Sequence, residues 1–114
     1  HAAALAEKAP AVDLLDHART ELAVMIGAGR IDIATLARRL GQSPRTLQRR
    51  LVERGVAYST LLDEARRELA CSYLRERSLS VDEIAGLLGY SEISAFSRAF
   101  RRWTGTSPLR YRRA

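Results

Sequence analysis

Residues 32–51 and 80–100 of this 114-residue chain are two copies of one pattern, and no other feature constrains the fold as tightly. Asp32, Leu36, Ala37, Leu40, Gly41 and Ser43 recur as Ser80, Ile84, Ala85, Leu88, Gly89 and Ser91, at a constant offset of 48. Beyond the turn the offset becomes 49, and Leu47, Arg49 and Leu51 recur as Phe96, Arg98 and Phe100. Each copy reads as a short capped helix, a glycine turn and a second helix with apolar positions four apart, which is a helix-turn-helix. Ala37 and Ala85 fall where the two helices cross, because a larger side chain would hold them apart. The glycine permits the positive φ on which such a helix ends. A single hairpin of this kind is common in all-helical domains. Two copies, each with a basic second helix, are hard to explain by packing alone.

The rest of the chain also reads as helix, with no strand signals. Residues 1–10 look like a loose leader, too short and too alanine-rich in its apolar part for a signal peptide. From Val12, the positions Val12, Leu15, Ala18, Leu22 and Ile26 recur at helical spacing until Gly27 and Gly29 end the run. Asp32 caps the next helix. Ser43, followed by Pro44 at the first helical position, opens a third that runs to Gly55. Residues 58–76 read as one linker helix of about 28 Å that buries Leu61, Leu62, Ala65, Leu69, Tyr73 and Leu74. Ser80 and Glu83 form a capping box, and Ser91 is expected to cap the helix through Phe96, Phe100 and Trp103 to Gly105. Ser107 and Pro108 start a last short turn through Tyr111. The expectation is an all-α fold of about seven helices. It divides into a flexible leader (1–10), a first helix-turn-helix unit (11–57), the linker helix (58–76) and a second unit (77–114). Met25 and Trp103 read as core, Cys71 as a small buried filler and His17 as a partly exposed helix residue.

Composition narrows the function. No apolar run approaches the ~20 residues of a membrane span. A single cysteine excludes an internal disulfide and fits a reducing compartment. Two histidines cannot build a metal site, and no cofactor is expected. For nucleophilic catalysis His17 is the only credible base. Gly27-Ala28-Gly29 lacks the further glycine and lysine of a phosphate loop. Asp13 and Asp16, one turn apart, read as a solvated helix face. The chain therefore reads as a binding module, not an enzyme.

Charge points to what it binds. The net charge is +6, and eighteen of the nineteen basic residues are arginine. Residues 38–54 carry six arginines against one acid, and residues 98–114 carry six with none. The remaining segments are net negative, which leaves two basic patches suited to a polyanion. Arginine's planar fork matches phosphate or a guanine edge. A helical interaction module for an acidic protein is the alternative. An anionic membrane surface fits less well, because each helix needs its apolar residues for one core.

The stretches LARRLGQSPRTLQRRL, LLDEARRELACSYL and SVDEIAGLLGYSEISAFSRAFRRWTGTSPLRYRR resemble the AraC/XylS family of bacterial transcription regulators. The resemblance covers residues 10–113. Its most specific elements are Ile84-Ala85, Gly89-Tyr90, Phe96-Ser97-Arg98-Ala99-Phe100, Gly105, Ser107-Pro108 and Tyr111-Arg112. It implies two helix-turn-helix units joined by a rigid helix, each placing a recognition helix in the major groove of double-stranded DNA. It also implies a separate effector-binding or dimerisation domain accompanying this one, RNA polymerase as a further partner, and action in the bacterial cytoplasm at the nucleoid.

On the first recognition helix Leu47 and Leu51 face inward with Leu40, leaving Arg45, Thr46, Gln48 and Arg49 outward. The resemblance places base contacts at Arg45, Gln48 and Arg49, where glutamine suits adenine and arginine suits guanine. On the second, Phe96, Phe100 and Trp103 face inward and leave Ile93, Ser94, Ser97 and Arg98 outward. Ile93 suits a thymine methyl, and the serines suit base edges or phosphate. Direct readout should therefore be richer in the first helix, with the second leaning on backbone contact and shape. Arg38, Arg50, Arg54, Arg101 and Arg102 are candidates for phosphate. Arg66, Arg67, Arg75 and Arg77 have acidic neighbours on the linker helix and are expected in surface ion pairs.

Overall fold

A computed structural model of the chain describes the backbone of residues 10–114 and the side chains from Leu14 onward. Nine of the ten positions of the expected leader lie outside the described residues. The tenth, Pro10, is the first residue of a helix. Seven helices follow in order: α1 (Pro10–Ala28), α2 (Ile33–Arg39), α3 (Pro44–Glu53), α4 (Tyr58–Arg75), α5 (Val81–Leu87), α6 (Ile93–Thr104) and α7 (Pro108–Arg113). No strand occurs among the described residues.

The expected caps largely form. Asp32 accepts from the Thr35 amide at 2.7 Å, Ser43 from the Thr46 amide at 3.2 Å and Ser107 from the Arg110 amide at 3.2 Å. Ser80 and Glu83 close a full capping box, with bonds of 3.0 and 2.8 Å. One cap is misplaced in the sequence reading. The N-cap of α6 is Glu92, not Ser91, and no side chain bonds the first turn there. The cause is one extra residue in the second turn, so the true counterpart of Ser43 lies 49 positions on, at Glu92.

The turns themselves repeat in detail. Gly41 and Gly89 take φ of 72° and 91°. The residue after each glycine donates to the crossing alanine, Gln42 to Ala37 and Tyr90 to Ala85, both at 2.9 Å. Ala37 and Ala85 are buried at 0 and 2% exposure, as a close helix crossing requires.

One core runs the length of the molecule around α4, which buries Leu61, Ala65, Ala70 and Leu74. Leu62, Leu69 and Tyr73 line its margin, and the sequence reading passed over Ala70. This helix is more than a spacer: it packs along α1 and also touches α5, α6 and α7. In the second unit the core is aromatic. Phe100 meets Phe96 at 5.9 Å between ring centroids, Trp103 at 6.4 Å and Tyr111 at 5.4 Å. Burying each of Phe96 and Phe100 contributes about 1.5–3 kcal/mol. Met25 is buried as expected, whereas Trp103 and Cys71 sit half-buried at the core's edge. Cys71 stays part-exposed because its neighbour Ala70 takes the inward position on α4.

The end of α4 is closed from a distance. Arg112 donates from Nε to the Leu74 carbonyl at 2.9 Å and from Nη2 to the Glu76 carbonyl at 3.1 Å. This ties α7 to the end of the linker helix and satisfies carbonyls that α4 leaves open.

Candidate nucleic-acid interface

The chemistry of the second helix in each repeat follows from which face it buries. In α3, Leu47 and Leu51 are buried, and Arg45, Gln48, Arg49 and Arg50 are exposed on the other side. Thr46 is half-buried, its hydroxyl held by Ser43 at 3.0 Å, which removes it from the outward set. In α6, Phe96, Ala99 and Phe100 are buried. Ile93, Ser94, Arg98, Arg101 and Arg102 are exposed, and Ser97 is half-buried.

The register that moved the cap to Glu92 also aligns the two outward faces. Arg45, Gln48 and Arg49 occupy the backbone positions of Ser94, Ser97 and Arg98, and Pro44 that of Ile93. One arginine is therefore shared at equivalent places, Arg49 and Arg98. Around it the first helix offers a fork and an amide where the second offers two hydroxyls and an apolar side chain.

The phosphate candidates divide. Arg38, Arg50, Arg101 and Arg102 are exposed, and none forms an ion pair among the described residues. Arg54 differs, because its Nη1 turns back to the Arg50 carbonyl at 3.2 Å and its Nε is shielded from water without a partner. Arg39, beside Arg38, is held by Glu21 of α1, which also receives His17 at 3.5 Å.

The ion pairs expected on the linker helix do not form. Among the described residues Arg66, Arg67, Arg75 and Arg77 pair with no carboxylate. Arg19 of α1 takes Glu64 at 3.1 Å along with its own-helix partner Asp16 at 3.3 Å. Arg66 instead lies over the Tyr90 ring, 5.1 Å from its centroid, and Arg75 reaches the Tyr111 hydroxyl at 3.5 Å. Packing of α1 along α4 accounts for Glu64, since it presents Arg19 to that carboxylate. The sequence reading also passed over Val52, which is 75% exposed. It edges an open groove of about 310 Å³ with Gln48, Ile33, Leu51, Val56 and Tyr58.

The titratable groups near the units have structural causes. Hydrogen bonds from the Thr35 backbone and hydroxyl hold the Asp32 carboxyl below its ordinary value, and those from Ser80 do the same for Glu83. Burial pushes the Tyr58 and Tyr90 hydroxyls up.

A family described as "Helix-turn-helix domain" matches residues 36–114, from the middle of α2 through the second unit. The chain belongs to the AraC-type helix-turn-helix family. Among relatives of this family, the transcriptional regulator VqsM of Pseudomonas aeruginosa is 44% identical over 80 residues, covering 70% of this chain and 25% of its own length. The ornithine utilization regulator of the same organism is 46% identical over 83 residues, 73% of this chain and 24% of its own. The chain thus spans about a quarter of the length of the curated relatives it matches. Among solved structures, a DNA-binding transcriptional dual regulator of Escherichia coli K-12 superposes with a TM-score of 0.73 at 29% identity. That match covers 84% of this chain and 89% of the other. The AraC-type family is one of transcription regulators, and this chain carries its DNA-binding domain.

Proposed function

We propose that this AraC-type domain reads two adjacent major-groove segments of double-stranded DNA with a single chain, α3 in one and α6 in the next. The observation that carries the reading is the repeat made three-dimensional. Two helix-turn-helix units share turn geometry, and each presents a solvent-exposed basic face on its second helix. The longest dimension is 45 Å, enough to hold two recognition helices about one DNA turn, ~34 Å, apart. Arg45, Gln48 and Arg49 contact base edges from α3, and Ile93, Ser94, Ser97 and Arg98 from α6. Arg38, Arg50, Arg101 and Arg102 contact phosphate. Arg54 joins them only by releasing its own-helix carbonyl.

In the longer protein, an effector-binding or dimerisation domain and RNA polymerase are the further partners of this reading. Its place of action is the bacterial cytoplasm, with the chromosome. The bonding faces on α3 and α6 differ, so the site is not palindromic. A selection from a random duplex library followed by Arg49→Ala and Arg98→Ala tests this. Each substitution should cost about 1–3 kcal/mol on the selected site and relax preference at one or two base pairs. The two relaxed positions should lie ~10 base pairs apart. Equal weakening on specific and random DNA would make both residues phosphate contacts. Coincident relaxed positions would overturn the two-segment docking.

A further inference from the structure

The two units touch where Ile31 and Arg66 close on the second turn. Ile31, which leads into the first unit, sends its Cδ1 to within 2.9 Å of where a Cβ on Gly89 would stand. The Arg66 Nη2 lies 3.6 Å from that same point. Arg66 sits on α4 with its guanidinium carbon 5.1 Å from the centroid of the Tyr90 ring. Its Nε is shielded from water and has no hydrogen-bond partner. The Arg66 side chain is half-buried, and its contact with the ring face, which favours a cation, holds the guanidinium against Tyr90.

Tyr90 passes the contact on. Its amide bonds the Ala85 carbonyl in the turn, and its ring meets Phe96, the first inward residue of α6, at 5.8 Å. A continuous chain therefore runs from the entry of the first unit, through Gly89 and Arg66, to the core face of the second recognition helix. The counterpart of Tyr90 in the first unit is Gln42, which has no such ring. Only the second turn is gripped this way.

We infer that Arg66 is a positioning residue for DNA recognition: clamped on Tyr90, it fixes the second recognition helix relative to the first and so sets the spacing at which the two segments are read. The inference rests on the two-segment reading. A pair of rigidly held helices tolerates little error, because one inserted base pair turns one segment by about 34° relative to the other. Loosening the junction lets α6 follow the displaced segment, at the cost of ordering it on binding.

The test measures duplex binding by anisotropy on the selected site, on sites with one base pair inserted or deleted between segments, and on duplexes with either segment randomised. Wild type should lose about tenfold or more on the spacing variants. Arg66→Ala should bind the selected site more weakly, show a spacing penalty under threefold, and match wild type on the randomised-segment duplexes. Its dependence on salt should be unchanged. Arg66→Lys, which keeps a cation, should recover part of the spacing penalty. Tyr90→Phe should behave as wild type and Tyr90→Leu as Arg66→Ala, which keeps the question open to test even if Arg66→Ala folds poorly. Uniform weakening on every duplex with a shallower salt slope would make Arg66 a phosphate contact and overturn the inference. An unchanged spacing penalty in Arg66→Ala and Tyr90→Leu would overturn it too. A wild type indifferent to spacing would instead defeat the two-segment reading, before any substitution is compared.

Discussion

Arg38 and Arg39 are adjacent in α2, yet alanine at each should give different results on DNA. In a helix-turn-helix the first helix crosses the phosphate backbone, so its basic residues are the ones placed to neutralise phosphates. Arg38 is exposed and forms no ion pair among the described residues, while Arg39 is held by Glu21 of α1. Each neutralised phosphate contributes about 0.9 to the slope of log K against log salt. Arg38→Ala should therefore flatten the slope by about 0.9. Between 50 and 200 mM salt, the ratio of wild-type to Arg38→Ala affinity should shrink by roughly 3.5-fold. Arg39→Ala should leave the slope unchanged. Its cost should fall on stability, up to about 1 kcal/mol, since the arginine side chain is 42% exposed and such pairs are weak. Anisotropy titrations at four salt concentrations on one duplex, with thermal melts of the same samples, separate the two outcomes. Equal flattening by both substitutions would refute the argument, because it would mean that Glu21 does not hold Arg39 away from DNA.

Three further outcomes follow from the packing and caps. Ala85→Leu should cost about 1–3 kcal/mol in chemical denaturation by overpacking the α5–α6 crossing, and more than Ala85→Gly; equal stability of Ala85→Leu and wild type would mean the crossing is misplaced. Arg112→Ala should cost roughly 1–2 kcal/mol by freeing the Leu74 and Glu76 carbonyls, and Arg112→Lys should not rescue it, since an ammonium cannot span both as the fork does. Asp32 and Glu83 both have lowered folded-state pKa values, so their contribution is present above the ordinary carboxylate range and lost as pH falls through the folded values. The melting temperature should hold from pH 7 to about 5 and drop towards pH 3, with a smaller drop in Asp32→Asn/Glu83→Gln, measured by circular dichroism.

The repeat carried most of what the sequence revealed, because its signals are local. Caps, glycine turns and four-residue apolar spacing depend on neighbours within one or two turns, and these produced the seven helices and both outward faces. The side-chain contacts it missed join residues distant in sequence. Glu64 lies on the same helix as Arg66 and Arg67, but its partner is Arg19, 45 positions away. Arg112 serves a helix end 38 positions away, and no periodicity marks a side chain that folds onto another helix's carbonyls. The α6 cap failed for a different reason. The offset change from 48 to 49 was readable, but where in the turn the extra residue falls was not. Serine's strong preference for the cap position pulled the assignment to Ser91.

The two units are anchored by different means, and this bears on how an AraC-type domain can diverge. The second is held by α4 directly, through Arg66 on Tyr90 and through Arg112 from α7. The first is held largely through α1, which packs along α4 and on α2 and fixes Arg39 with Glu21. Yet the family match begins at residue 36, beyond α1 altogether. A helix outside the matched span thus bears on the position of the first recognition helix, and it does so with Leu22, Met25 and Ile26 buried at 0–2% exposure. Substitutions in α1 can then shift the aim of α3 while every residue of both helix-turn-helix units stays the same. On the two-segment reading, specificity in such a domain would depend on the frame as well as on the reading faces.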